Sequence, residues 1–448
     1  MHTLEQLRAG ELGGARHLKL CENLAVFPPE ILSLKETLEV LDLTGNQLSE
    51  LPDELAGFTK LRIIFCSENR FIALPEVLGR CPSLTMVGFK ANRIATVSAA
   101  SLPSGLRWLI LTDNVIERLP DTLGQCAALQ KLMLAGNRLR ELPASLANCR
   151  RLELLRIAAN RLEAFPEWLL DLPRLAWLAY AGNPFADEWE RQLGNRATAA
   201  EIPWQALTLG DQLGQGASGV IHRAELDTDE GTRGVAVKLF KGAVTSDGLP
   251  RCEMAVSLAA GRHPHLIGVT GRVGNHPSGI PALVMTLIDP DFVNLAGPPS
   301  LDSCTRDVYP VGLSFTPAAL IAMAQGVASA AQHLHERGIL HGDLYGHNLL
   351  HGQQGRVLLG DFGAASCYDR ESGVLAARLE RIEIRAFGCL LEELVARSNV
   401  EAAALLPLQQ LVQACLVDEL ALRPSFAHVR AQIEAASQAA MLGAQTYA

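Results

Sequence analysis

Apolar residues fall at fixed offsets through the first half of the chain, and asparagine marks the beat. Asn23, Asn46, Asn69, Asn92, Asn114, Asn137, Asn160 and Asn183 recur every 23 residues, with one interval of 22. Around them runs Leu-x-x-Leu-x-Leu-x-x-Asn-x-Leu-x-x-Leu-Pro, complete in Leu129, Leu132, Leu134, Asn137, Leu139, Leu142 and Pro143. Each unit predicts a short strand at Leu-x-Leu. It also predicts a turn where the asparagine amide satisfies backbone groups in a stacked ladder. The Leu-Pro step starts the convex return, where a missing N–H does no harm. No single unit can bury its leucines alone, so stability must come from stacked neighbours. The first unit is a residue short before Phe27-Pro28 and the last ends at Asn183-Pro184-Phe185, irregularities that read as caps.

This period and pattern resemble leucine-rich repeats, whose units run to about 20–29 residues. The residues flanking the strand leucines should face the concave side, and they are mostly apolar. Phe65, Trp108, Met133 and Trp177 stand among them. A contiguous apolar patch implies a protein partner or substrate there, with intramolecular or self packing as the alternative. Cys81, Cys126 and Cys149 each lie twelve residues after a repeat asparagine, which predicts a buried ladder of free thiols in a reducing compartment.

After a junction near residues 187–204 the period vanishes. Gly214-Gln215-Gly216-Ala217-Ser218-Gly219-Val220-Ile221 follows an apparent strand and precedes another, which carries Val235-Ala236-Val237-Lys238. A lone G-x-G-x-x-G is weak and fits a dinucleotide fingerprint too, but here a strand follows rather than a helix. Glu253 is the acid of the next helical stretch, and Leu283-Val284-Met285 reads as a further strand. A Pro- and Gly-rich stretch of about 28 residues, 289–316, precedes a helix predicted over 317–337; connections this long are uncommon in compact domains. Then come His341-Gly342-Asp343-Leu344-Tyr345-Gly346-His347-Asn348 and Asp361-Phe362-Gly363.

In this order the motifs resemble protein kinases across residues ~205–435. The H-G-D-L-Y-x-H-N run and the domain order also look like a soluble leucine-rich-repeat kinase group of bacteria and plants. The resemblance implies ATP and Mg²⁺ as cofactors, with Asp343 as catalytic base and Lys238 on the α/β-phosphates, held by Glu253. Asn348 and Asp361 would bind the metal. Gly214, Gly216, Gly219, Ile221, Ala236, Met285 and Leu287 would line the nucleotide site.

The same residues depart from the pattern. Gly342 stands where an arginine usually pairs with an activation-loop phosphate, so Ser366, Tyr368 and Ser372 are poor candidates for that switch. Tyr345 replaces the lysine of Ser/Thr kinases. No Ala-Pro-Glu follows Asp361, and Arg423 is expected to meet Glu380 or Glu383 instead of the missing glutamate.

The expected fold is therefore α/β. A leucine-rich-repeat solenoid over 1–200, about eight units plus caps, leads into a bilobal, kinase-like α+β domain over 201–440. Its N-lobe spans about 205–286, an insertion 289–316 and its C-lobe 317–440. At 448 residues the chain exceeds one ordinary core. A net charge of −9 argues against nucleic acid as partner. With no membrane span and no secretory signal read from the sequence, the expected location is cytoplasmic. The expected activity is an ATP-dependent Ser/Thr protein kinase, atypical and possessing weak turnover. The alternatives are an ATP-binding pseudokinase scaffold and, further off, a small-molecule phosphotransferase.

Overall fold

The structure, a computed structural model, describes residues 2–196, 200–216, 218–242, 244–245, 247–399 and 405–446. The chain forms two compact units. The first is Met1–Leu175 with Asn183–Phe185; the second is Ala176–Gly182 with Ala186–Ala448.

In the first unit the Leu-x-Leu steps form three-residue strands from His17–Lys19 to Leu154–Arg156, paired in parallel in chain order without a register shift. The asparagines form the expected ladder. Asn69 Nδ2 donates to the carbonyls of Leu43 (2.9 Å) and Cys66 (3.2 Å), and its Oδ1 accepts the N–H of Leu48 at 2.8 Å. Asn137 and Asn160 repeat this scheme three and four units on. Each amide thus ties two units, and a net gain of about 1 kcal/mol per bond accumulates along the stack. After the Leu-Pro steps the chain turns into short 3₁₀ helices such as Asp53–Gly57, Asp121–Gln125 and Ala144–Asn148. The Cys81, Cys126 and Cys149 thiols are free and buried, and burial pushes Cys81 up to about 11 and Cys149 to about 12.

The second unit opens with Ala176–Gly182, which carries the strand of the eighth repeat, Trp177–Ala179. Helix Asp187–Arg196 follows. A six-stranded sheet comes next, in the order Leu207–Gln215, Gly219–Thr228, Gly231–Phe240, Ala282–Thr286, Val269–Gly274, Ala200–Pro203. Its first five strands are antiparallel and the last adds a parallel edge. Val235, Val237, Ala282 and Val284 alternate onto one buried face with Ile202, Ala224 and Leu226. Helix Pro250–Ala260 precedes Val269–Gly274 in the chain.

Helices Pro317–His335, Val374–Val395, Leu406–Leu416 and Phe426–Thr446 build the rest of the unit. Pro317–His335 starts with Thr316 as N-cap, accepting the Ala319 N–H, and with proline in its first turn. The stretch 289–316 is not structureless. Val293–Asn294 pairs with Leu349–His351, which pairs in turn with Val357–Leu359, and Gly297 and Val308 exchange backbone hydrogen bonds. Among the described residues no helix is long and apolar enough to cross a membrane.

Candidate phosphoryl-transfer site

The hairpin Leu207–Gln215/Gly219–Thr228 carries the glycine loop, closed by the Gly216 N–H donating to the Gly219 carbonyl at 2.9 Å. Its glycines have different reasons to be glycine. A Cβ on Gly219 would lie 2.4 Å from the Leu239 carbonyl oxygen, so backbone packing forbids a side chain. At Gly214 and Gly216 a Cβ would meet nothing among the described residues. Those two leave open backbone where a phosphate group can approach.

Lys238 sits mid-strand, opposite Ile221 on one side and Leu283 on the other. Ala236 pairs with Met285 in the same ladder, and Leu287 follows the strand end. The Lys238 ammonium forms a salt bridge with Glu253 of helix Pro250–Ala260, and both side chains are buried. Burial pushes the Glu253 carboxyl up, Lys238 opposes, and the charge of Asp361 adds to the rise.

The loop 341–348 is held from several sides. His341 Nε2 donates to the Gly360 carbonyl at 2.8 Å, and its Nδ1 accepts the Asp343 N–H at 3.3 Å. Asn348 Nδ2 donates to the Asp343 carbonyl at 2.9 Å and to its carboxylate at 2.8 Å. That leaves the amide oxygen as the atom of Asn348 able to hold a cation. Asp361, exposed and left-handed (φ 55°), accepts the Gly363 N–H at 3.0 Å. The Leu349–His351/Val357–Leu359 hairpin spans the chain between Asn348 and Asp361. Among the described residues no cluster of three or more His, Cys, Asp and Glu side chains stands ready for a metal. An Asn–Asp pair suits a hard cation that takes its remaining oxygens from phosphate and water.

Several neighbours of this loop carry no motif. Asp307, in the 289–316 stretch, accepts the His347 N–H at 2.8 Å and bonds its Nδ1 at 2.7 Å. His347 Nε2 then lies 3.9 Å from the Asp343 carboxylate. Burial disfavours a charged imidazole there, but Asp307, Asp343 and Asp361 together hold His347 above its ordinary pKa. Glu383 accepts the Gly342 N–H at 2.8 Å and bonds His335 at 2.7 Å. Burial works to raise its pKa, yet these partners leave it below the usual carboxylate range.

Three expectations are corrected. Trp177 offers no free concave surface to a foreign partner and takes the alternative, intramolecular packing: it is buried, its ring stacked on Tyr345 and its Nε1 donating to the Leu344 carbonyl at 3.2 Å. Met133 is buried as well, whereas Phe65 and Trp108 are half-buried. The Lys131 ammonium lies 4.2 Å from the centroid of Trp108, and Phe65 lies over the bare face of Gly88. Arg423 donates to the carbonyls of Val417 and Arg381, while Glu383 holds His335 and Gly342 and Glu380 accepts the Tyr368 hydroxyl.

The family model described as protein tyrosine and serine/threonine kinase matches residues 207–396. The chain carries a protein kinase domain. The model described as Leucine Rich Repeat matches residues 37–58, within the first unit. The kinase domain is similar to a probable serine/threonine-protein kinase of Arabidopsis thaliana, 25% identical over 185 residues, covering 40% of this chain and 24% of that protein. The repeats are similar to leucine-rich repeat and calponin homology domain-containing protein 1 of Mus musculus. There the identity is 31% over 91 residues, covering 20% of this chain and 13% of that protein. A solved leucine-rich-repeat protein of Leptospira interrogans aligns with TM-score 0.37 and 30% identity, over 40% of this chain and 45% of that one. The chain spans a quarter or less of the length of these two curated relatives.

Proposed function

We propose that the kinase domain transfers the γ-phosphate of ATP to a protein serine or threonine hydroxyl. The observation that carries this reading is the buried Lys238–Glu253 ion pair, formed with Asp361 close enough to act on the Glu253 carboxyl. Lys238 would contact the α/β-phosphates, and the open backbone at Gly214 and Gly216 would cover them. Ile221, Ala236, Met285 and Leu287 would border the base. Asn348 and Asp361 would hold Mg²⁺, whose chemistry is to neutralise phosphate charge. Asp343, oriented by Asn348, would position the acceptor hydroxyl and take its proton. Phosphoryl transfer relies chiefly on such positioning and charge placement.

The repeats would select a protein partner through the half-buried Phe65 and Trp108 rather than through Trp177. The buried free thiols favour a reducing, cytoplasmic setting.

One observation favours a second reading, an ATP-binding scaffold with little turnover. Tyr345, at the position where Ser/Thr kinases carry a lysine, is buried against Trp177 and supplies no cation.

The purified chain with labelled ATP and Mg²⁺, alone and with cell lysate, beside Asp343→Ala, separates the readings. Label on protein that disappears in Asp343→Ala supports the kinase. Nucleotide binding without turnover supports the scaffold, and label only on small metabolites would mean a small-molecule phosphotransferase.

A further inference from the structure

The segment from Ala176 to Arg196 lies outside the matched kinase residues and yet touches three working parts of the kinase domain. The first is the loop of Asp343. Trp177 stacks on Tyr345 with centroids 4.1 Å apart and planes 8° from parallel, and its indole N–H donates to the Leu344 carbonyl. A Cβ at Gly342 would meet the Leu178 carbonyl oxygen at 2.7 Å, so this strand and the loop approach backbone to backbone.

The second is the segment after Asp361-Phe362-Gly363. The Tyr180 N–H donates to the Ser366 hydroxyl at 2.9 Å, and the Tyr180 hydroxyl donates to the Cys367 carbonyl at 3.0 Å. Tyr180 and Ser366 are fully buried. A kinase acting on Ser366 would first have to dismantle this contact.

The third is the helix that bears Glu253. Helix Asp187–Arg196 lies against helix Pro250–Ala260. Cys252 Sγ donates to Glu190 Oε2 at 3.5 Å, and Glu190 Oε1 accepts the Gly182 N–H at 2.6 Å. Glu190 therefore links the end of the Trp177–Tyr180 stretch to the residue next to Glu253.

We infer that Ala176–Gly182 and helix Asp187–Arg196 form a built-in brace that holds the Asp343 loop, the Ser366–Cys367 segment and the Glu253 helix in the working arrangement, in place of activation-segment phosphorylation. Trp177, Tyr180 and Glu190 are positioning residues. None reaches the nucleotide site; each acts through Tyr345 and Leu344, through Ser366 and Cys367, or through Cys252. The inference rests on the kinase reading above and explains how a chain with Gly342 in place of the usual arginine can dispense with a phosphate switch.

The test uses the full chain. Wild type is treated with phosphatase, its dephosphorylation checked by intact mass, and compared with Trp177→Ala, Trp177→Phe, Tyr180→Phe and Glu190→Gln. Dephosphorylated wild type should keep its kcat. Trp177→Ala should lose on the order of tenfold in kcat with little change in the KM for ATP, and Trp177→Phe, which keeps an aromatic ring on Tyr345, should recover most of it. Should Trp177→Ala fail to fold, Tyr180→Phe and Glu190→Gln, which remove single hydrogen bonds, carry the comparison by smaller losses of kcat. Amide hydrogen exchange is the readout independent of turnover: residues 341–348 and 364–368 should exchange faster in the variants even if wild type proves inactive. Folded variants with wild-type kcat and exchange, or a wild type silenced by phosphatase, would overturn the brace.

Discussion

The indole of Trp177 lies flat on the phenol ring of Tyr345, with ring centroids 4.1 Å apart. Tyr345 thus fills the lysine position of Ser/Thr kinases with a ring used for packing, not with a substitute charge. Tyr345→Lys would restore the cation but bury an ammonium where a stacked ring now sits. The variant should melt several degrees lower than wild type, roughly what a loss of 1–2 kcal/mol produces, as read by scanning calorimetry. A variant of unchanged stability with faster turnover would contradict this account of Tyr345.

Gly342 is required by its backbone. Its φ of +71° lies in the left-handed region, and a Cβ would come within 2.5 Å of the Ala364 carbonyl oxygen and 2.7 Å of that of Leu178. Gly342→Ala should lower the urea midpoint without changing its slope. The strain of left-handed backbone alone costs roughly 1–2 kcal/mol, and the carbonyl clashes add to it. An unchanged midpoint would mean that the loop relaxes freely, and the close backbone approach would lose its significance.

Much of this was legible in the sequence, for a physical reason. Asn69 and Asn137 could be assigned their ladder because a repeating backbone offers every copy the same carbonyls. Lys238 and Glu253 could be paired because strand and helix carry them at familiar places. For Trp177 the sequence left two readings open, a protein partner or intramolecular packing, and its cover by Tyr345 is the second; the alternation that points a residue to the concave side says nothing about what covers it, and Tyr345 is remote in sequence. The Asp307–His347 contact had no signal, since the stretch 289–316 shows no period. The Arg423 pairing with Glu380 or Glu383 failed because Glu383 is taken by His335 and the Gly342 N–H and Glu380 by the Tyr368 hydroxyl. Competition for a partner is decided by tertiary packing, which no local pattern of residues records.

The docking of the 289–316 stretch should depend on pH through Glu393. Its carboxylate accepts the Tyr309 hydroxyl at 2.9 Å and faces Arg306 at 3.3 Å, while Arg397 bonds its backbone carbonyl. Burial pushes Glu393 up from 4.5 to about 7, with Arg306 opposing and Asp307 adding to the rise. The folded chain therefore keeps a proton that the unfolded chain has released. This contribution to stability is full below about pH 4.5, falls as pH rises to about 7, and then levels off. Glu393→Gln should flatten that part of a urea-derived stability profile. Identical profiles for the two proteins would remove Glu393 as the cause.

Phosphate transfer to a peptide library containing serine, threonine and tyrosine, compared between wild type and Asp343→Asn with Mg²⁺ and ATP, tests the central claim most directly. Mass spectrometry should place phosphate on serine or threonine in wild type. The rate should fall by roughly two to four orders of magnitude in the variant, the usual worth of a positioned base. Equal rates in the two proteins, or binding of ATP with no phosphorylated product from either, would contradict it.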